Sequence, residues 1–178
     1  YIDADLYFFD NLDELYAEID ADCAVIPHRW TPEHADRLRP NGIYNVAWVY
    51  ARDRGFLGEW SSLSKDWCGV VNNGKGVGEQ GYLDDLQLKY GCHIVQHLGA
   101  NLAPWNQEQY DYDWDGEHLF VNGHRLLFYH FHEFRHTNDG RVLKRTGYEL
   151  HPAVVDRVYR VYEAEIARIC RRLGDVDG

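Results

Sequence analysis

The chain contains no methionine, not even at position 1. It opens inside an apolar run, so a fragment is expected whose N-terminal part is absent, with unpaired strand edges that favour self-association. Positive charge is scarce: 18 Lys and Arg stand against 29 Asp and Glu, a net charge of −11. That balance argues against a nucleic-acid surface, and an anionic substrate would need a metal ion or a local arginine. Only four cysteines occur, Cys23, Cys68, Cys92 and Cys170. Their spacing fits no zinc pattern, and they read as buried free thiols of a reducing, cytoplasmic setting. No hydrophobic run approaches the roughly 20 residues of a membrane span. No signal peptide, internal repeat or low-complexity tract is visible.

What is present suits one α/β domain over residues 1–178, with 45% apolar and 15% aromatic residues. Amphipathic aromatics of this kind fill cores or hold ring-shaped polar ligands. Tyr1 to Phe9 is an apolar run broken by Asp3 and Asp5, and it reads as a buried strand. Two acids two residues apart share a strand face, and unpaired there they would repel and be costly to desolvate. A divalent cation with oxygen ligands, Mg²⁺ or Mn²⁺, removes both problems. The plainer alternative is a solvated pair at a loop edge.

Leu12, Leu15, Tyr16 and Ile19 give the stripe of a short helix capped by Asp10 or Asn11. Cys23–Ile26 is a strand stopped by Pro27, and His28–Pro40 a loop or single helical turn expected to border the active site. Gly42–Tyr50 is a second buried strand in which Asn45 needs partners, from the backbone or from sugar hydroxyls. Phe56–Val71 and Glu79–Tyr90 read as helices. Between them Asn72–Gly78 is a glycine-rich connector without the phosphate-cradle pattern. Cys92–His97 is a strand, followed by a loop to Asn106. Asp115-Gly116 and Asn122-Gly123 mark hairpin turns, and Leu126–His132 is the last apolar strand. Residues 151–173 form a C-terminal helix with arginines near its end.

Three polar groups fall at strand ends or loops, where α/β folds place their sites. They are Asp3/Asp5, Glu79/Gln80/Asp84/Asp85 and His130/His132. The two histidines alternate, so they share a face, and an imidazole added to two carboxylates suits a transition metal such as Mn²⁺. His93, His97 and His118 are weaker candidates. A satisfied core histidine is the competing reading for each.

Taken in order, these pieces resemble the nucleotide-sugar glycosyltransferases of the GT-A fold, which include the glycogenin-like and lipopolysaccharide galactosyl- and glucosyltransferases. Tyr1-Ile2-Asp3-Ala4-Asp5 matches their Asp-x-Asp strand, and Leu12–Leu15 the helix after it. Tyr44-Asn45-Val46-Ala47 matches their Asn strand, with Ala47 where Gly is usual. Glu79-Gln80 stands where Asp-Gln is expected, and Pro104-Trp105-Asn106 matches the aromatic-Asn loop. His130-Phe131-His132-Glu133 matches the late His motif, with Glu133 in place of Gly. The resemblance implies a GT-A-like mixed sheet flanked by helices, here lacking its N-terminal nucleotide-binding part.

It also implies a metal-dependent glycosyltransferase that moves a sugar from a nucleotide-diphosphate donor, a UDP-sugar, to a saccharide or other hydroxyl acceptor. Asp5 would ligate Mn²⁺ or Mg²⁺ on the diphosphate, Asp3 the ribose or the metal through water. His130 would be the third ligand, with His132 as substitute. Asn45, Gln80 and Asp84 or Asp85 would hold the sugar, with Trp105 and Asn106 also binding substrate. Asp85, Asp84 or Glu79 would be the base if the anomeric centre inverts. The resembled fold holds the donor's base ahead of Asp-x-Asp, so weak donor binding by this chain is expected. A non-catalytic saccharide-binding module and a metal-dependent phosphohydrolase are the alternatives.

Overall fold

A computed structural model describes residues 1–69 and 78–174, without the side chains of 39 and 40. Val70, Val71 and the glycine-rich stretch up to residue 77 lie outside the described residues. Among the described residues the architecture is mixed α/β, with four small sheets rather than one.

The elements run in this order: β1 (Leu6–Phe8), α1 (Asp13–Glu18), β2 (Cys23–Pro27), α2 (Leu38–Asn41), β3 (Tyr44–Ala51), α3 (Arg54–Asp66), α4 (Leu83–Tyr90) and β4 (His93–Ile94). Then come β5 (Tyr112–Trp114), β6 (Leu119–Val121), β7 (His124–Arg125), β8 (Phe128–His130), β9 (Arg135–His136) and β10 (Val142–Lys144). The chain ends in α5 (Pro152–Val154), a π-helical segment Val155–Tyr159 and α6 (Arg160–Gly174). Asp53 caps α3 by accepting from the backbone N–H groups of Gly55 and Phe56. Asn11 accepts from Asp13 N at 3.0 Å ahead of α1. Among the described residues, no helix is long and apolar enough to cross a membrane.

The central sheet has the order β3-β2-β4, with β2 antiparallel to β3 and parallel to β4. The period-2 alternation of β2 divides the core in two. Cys23 and Val25 pack with Phe56, Trp60, Leu83 and Leu86 from the helices. Ala24 and Ile26 face the other way, onto Leu15, Trp48, Leu127 and Phe128. A third cluster joins Val121, Tyr129 and Phe131 to Val158 and Tyr159 of the C-terminal helical segment.

The opening stretch is not the single buried strand read from its composition. Tyr1 and Ile2 are exposed, at 60% and 56%. They pair with β3: Tyr1 O accepts from Val49 N at 3.0 Å, and Asp3 N donates to Ala47 O at 2.9 Å. After a turn at Ala4–Asp5 the chain changes sheet and pairs as β1 with β8, Leu6 opposite His130. The register of β2 against β3 shifts between Val25 and Ile26, so residues 46–48 of β3 are skipped by β2. Asp3 and Asp5 therefore sit where the backbone passes from one sheet to the other. Two carboxylates cannot be carried through a buried strand without a partner, and the crossing lets both side chains leave the core.

The thiols also depart from expectation. Cys23 and Cys92 are buried, but Cys68 is exposed and Cys170 half-buried.

Candidate metal centre

Each member of the centre is held by backbone pairing. Asp3 is fixed through its N–H on Ala47 of β3. Asp5 is fixed through its carbonyl, which accepts from Phe131 N at 2.8 Å just beyond β8. His130 ends β8, and its own N–H donates to Leu102 O at 2.8 Å. One ligand atom from each of Asp3, Asp5 and His130 can be chosen so that all three lie within 4.8 Å of one another. His130 Nε2 is 3.2 Å from Asp5 Oδ2. An octahedral ion with bonds of about 2.1 Å sets neighbouring ligands about 3 Å apart and opposite ones about 4.2 Å apart. The Asp5–His130 separation matches neighbouring ligands of a Mn²⁺- or Mg²⁺-sized cation, and the donor set of two carboxylate oxygens and an imidazole nitrogen suits one.

Electrostatics agree with that fit. Burial pushes the Asp3 carboxyl above its ordinary range, and neighbouring Asp5 and Glu79 push the same way, against a hydrogen bond from Tyr1 and the influence of His130. Burial would also raise Asp5. The hydrogen bond and charge of His130 outweigh it, and Asp5 lies below the ordinary range. His132 is pulled down chiefly by burial and then by His130, which favours the neutral imidazole that ligates metals.

The three residues line a cavity of about 310 Å³, together with Asn45, Gln80, Trp105 and His132. Trp105 is 3% exposed and donates through Nε1 to His28 O at 2.9 Å. Its ring meets His130 and His132 edge-on, at 5.1 and 5.6 Å. Asn45 is satisfied within the protein. Its Oδ1 accepts from Ala47 N at 3.0 Å, and its Nδ2 lies 3.1 Å from His28 Nε2.

His28, Trp30 and Arg37, from the 28–40 stretch expected to border the site, also face this cavity, and so does Tyr148, which had no signal in the sequence. His28 is buried beneath Trp30, with stacked rings 4.6 Å apart. Its Nδ1 is 3.3 Å from Ile43 O, which can only accept. The Nδ1–H tautomer follows, leaving Nε2 to accept from Asn45. Burial drives its pKa down to about 3. A histidine just after a proline-stopped strand is a weak sequence signal, and nothing local pointed to the pairing with Asn45.

Two curated proteins are similar to this chain. They are the uncharacterized proteins YfnD and YfnF of Bacillus subtilis (strain 168). YfnD is 28% identical over 142 residues, which cover 75% of this chain and 46% of YfnD. YfnF is 27% identical over 192 residues, covering 99% of this chain and 62% of YfnF. The chain thus spans roughly half to three-fifths of the length of these relatives. No family model and no solved structure matches it.

The other expected site residues lie outside the cavity. The Asp84 carboxylate accepts from Ile43 N at 2.9 Å and from Tyr44 N at 3.4 Å, tying α4 to the start of β3. Asp85 is exposed on α4. Glu79 accepts from the Cys68 thiol at 3.2 Å. Asn106 is fully buried: its Oδ1 accepts from Ala103 N, and its Nδ2 donates to the carbonyls of His28 and Asn101. That makes it a brace of the 101–106 loop. Asp3 and Asp5 are the carboxylates that line the cavity among the described residues.

Glu133, which stands where the resembled motif has Gly, has φ +62°, a conformation that glycine favours. Its carboxylate accepts from Lys144 Nζ at 2.7 Å and from Gly147 N at 3.1 Å, contacts that offset the strain.

Proposed function

We propose that the protein is a metal-dependent glycosyltransferase of GT-A type that uses a nucleotide-diphosphate sugar. The observation that carries this reading is the convergence of Asp3, Asp5 and His130, the last 125 residues along the chain from Asp5, on one polar cavity. A divalent ion held there would stabilise the charge that develops on the departing diphosphate. Asp3, Asp5 and His130 would hold that ion, with two carboxylates and one imidazole as the protein's share of ligands. Gln80, at the same cavity, would meet sugar hydroxyls, while Asn45, engaged by Ala47 N and His28, would brace the wall beside it. Trp105 supplies an apolar wall that limits water.

The test is turnover of UDP-sugars, with water as default acceptor, in Mn²⁺ and in EDTA. Mn²⁺-dependent release of UDP, lost in Asp5→Asn, is expected. Saccharide binding with no UDP release from any donor contradicts the transferase reading and leaves a binding module.

A further inference from the structure

Beside the cavity lined by Asp3, Asp5 and His130 lies a larger one of about 750 Å³. The two share Arg37, Trp105, His132 and Tyr148, so they form one trough with a narrow end and a wide end. Charge differs along it. The narrow end joins the candidate cation site to Arg37, a combination suited to a diphosphate. The wide end reaches the same Arg37 and His132 at the junction and adds His34, but it also carries four carboxylates, Glu33, Glu108, Glu133 and Glu149. Glu133 is neutralised by Lys144 at 2.7 Å. Among the described residues, no lysine or arginine pairs with Glu33, Glu108 or Glu149. Tyr148, half-buried at the junction, offers a ring to the wide end, and Pro104 adds apolar wall.

We infer that the wide end of the trough is the acceptor site and takes a saccharide without anionic groups, neutral or amine-bearing. This rests on the transferase reading above. Carboxylates accept hydrogen bonds from sugar hydroxyls or an ammonium, and the tyrosine ring covers a sugar's C–H face. An acceptor with a carboxylate or phosphate meets like charge in a concave site, where fields are focused. In the transfer, the acceptor's hydroxyl oxygen bonds to the anomeric carbon as that carbon's bond to the diphosphate oxygen breaks. The bonding pair leaves with the diphosphate, and the hydroxyl proton passes to water in the open cleft.

Amide-resonance titrations test this with methyl glucoside, glucosamine and glucuronate, in Mg²⁺. The first two are expected to move the Gly147, Tyr148 and Glu149 signals. Glucuronate is expected to bind about tenfold or more weakly, a gap that Glu108→Gln with Glu149→Gln narrows to roughly threefold or less. Equal binding of glucuronate and glucosamine, shifts confined elsewhere, or no shifts at all overturns the assignment. A parallel Mn²⁺ titration separates the two levels. Broadening of the Asp3, Asp5 and His130 signals without saccharide discrimination removes the acceptor site but leaves the metal centre. Saccharide shifts without Mn²⁺ broadening remove the transferase reading and the acceptor assignment together.

Discussion

At the residue scale, the acids divide by what already holds them. Asp84 is engaged by two backbone N–H groups of β3, so its removal orphans donors rather than chemistry. Asp84→Ala should lower unfolding free energy by about 1–3 kcal/mol while Mn²⁺ affinity stays within about twofold; a hundredfold affinity loss in a variant of wild-type stability would place Asp84 in the centre after all. His28 gives a pH dependence with a definite sign. Its folded pKa of about 3 lies below the ordinary 6.5, so between those values the unfolded chain binds a proton that the folded one refuses. Its contribution is therefore whole above pH about 6.5 and drains away as pH falls, by up to about 1.4 kcal/mol per unit. Urea unfolding of the wild type at pH 7.5 and 5.0 should show this loss, and His28→Gln should show a smaller one. Equal slopes in the two proteins would mean that His28 is not held neutral.

At the scale of elements, the site depends on how β8 is seated. Gly99 O accepts from both Leu127 N and Phe128 N, and a Cβ at Gly99 would lie 1.8 Å from Arg125 O. Gly99→Ala must push the 98–106 loop away from Arg125 of β7, and so strain the bonds from Leu127 N and Phe128 N that seat the start of β8. A melting experiment should show destabilisation of about 1–3 kcal/mol or more, with weaker Mn²⁺ binding; a variant that melts and binds like wild type would show that loop and strand are not coupled. Much at this scale was legible in the sequence. The strand Cys23–Ile26, the Asp-Gly and Asn-Gly turns and the span of the C-terminal helix each appear close to their expected places, because turn chemistry and apolar runs are local. The helix's apolar stripe is buried only at its start, at Val154 and Val158, and Ile169 and Leu173 are exposed. The opening strand was misread for a non-local reason. Its apolar run is divided between two sheets, and only the pairing partners, Ala47–Val49 and Phe128–His130, reveal the crossing. Asn106 and Asp84 were expected to hold substrate or catalyse, because buried polar bracing and ligand binding draw on the same side chains.

At the scale of the whole molecule, the chain brings together groups 125 residues apart, Asp5 and His130. Proximity of this kind was an expectation from two weak motifs, and neither motif carried it alone. The backbone supplies it twice over, through β1 against β8 and through Phe131 N on Asp5 O. A site anchored on paired strands is more exactly positioned than one on loops, so the triad is expected to be preformed without substrate. Mn²⁺ titration followed by electron paramagnetic resonance measures that directly. The wild-type protein should take up one equivalent of Mn²⁺ in the absence of nucleotide, with Asp5→Asn and His130→Ala each weakening it by about 10-fold or more. No uptake by the wild type, or uptake that both substitutions leave unchanged, would contradict the metal centre on which the proposed function stands.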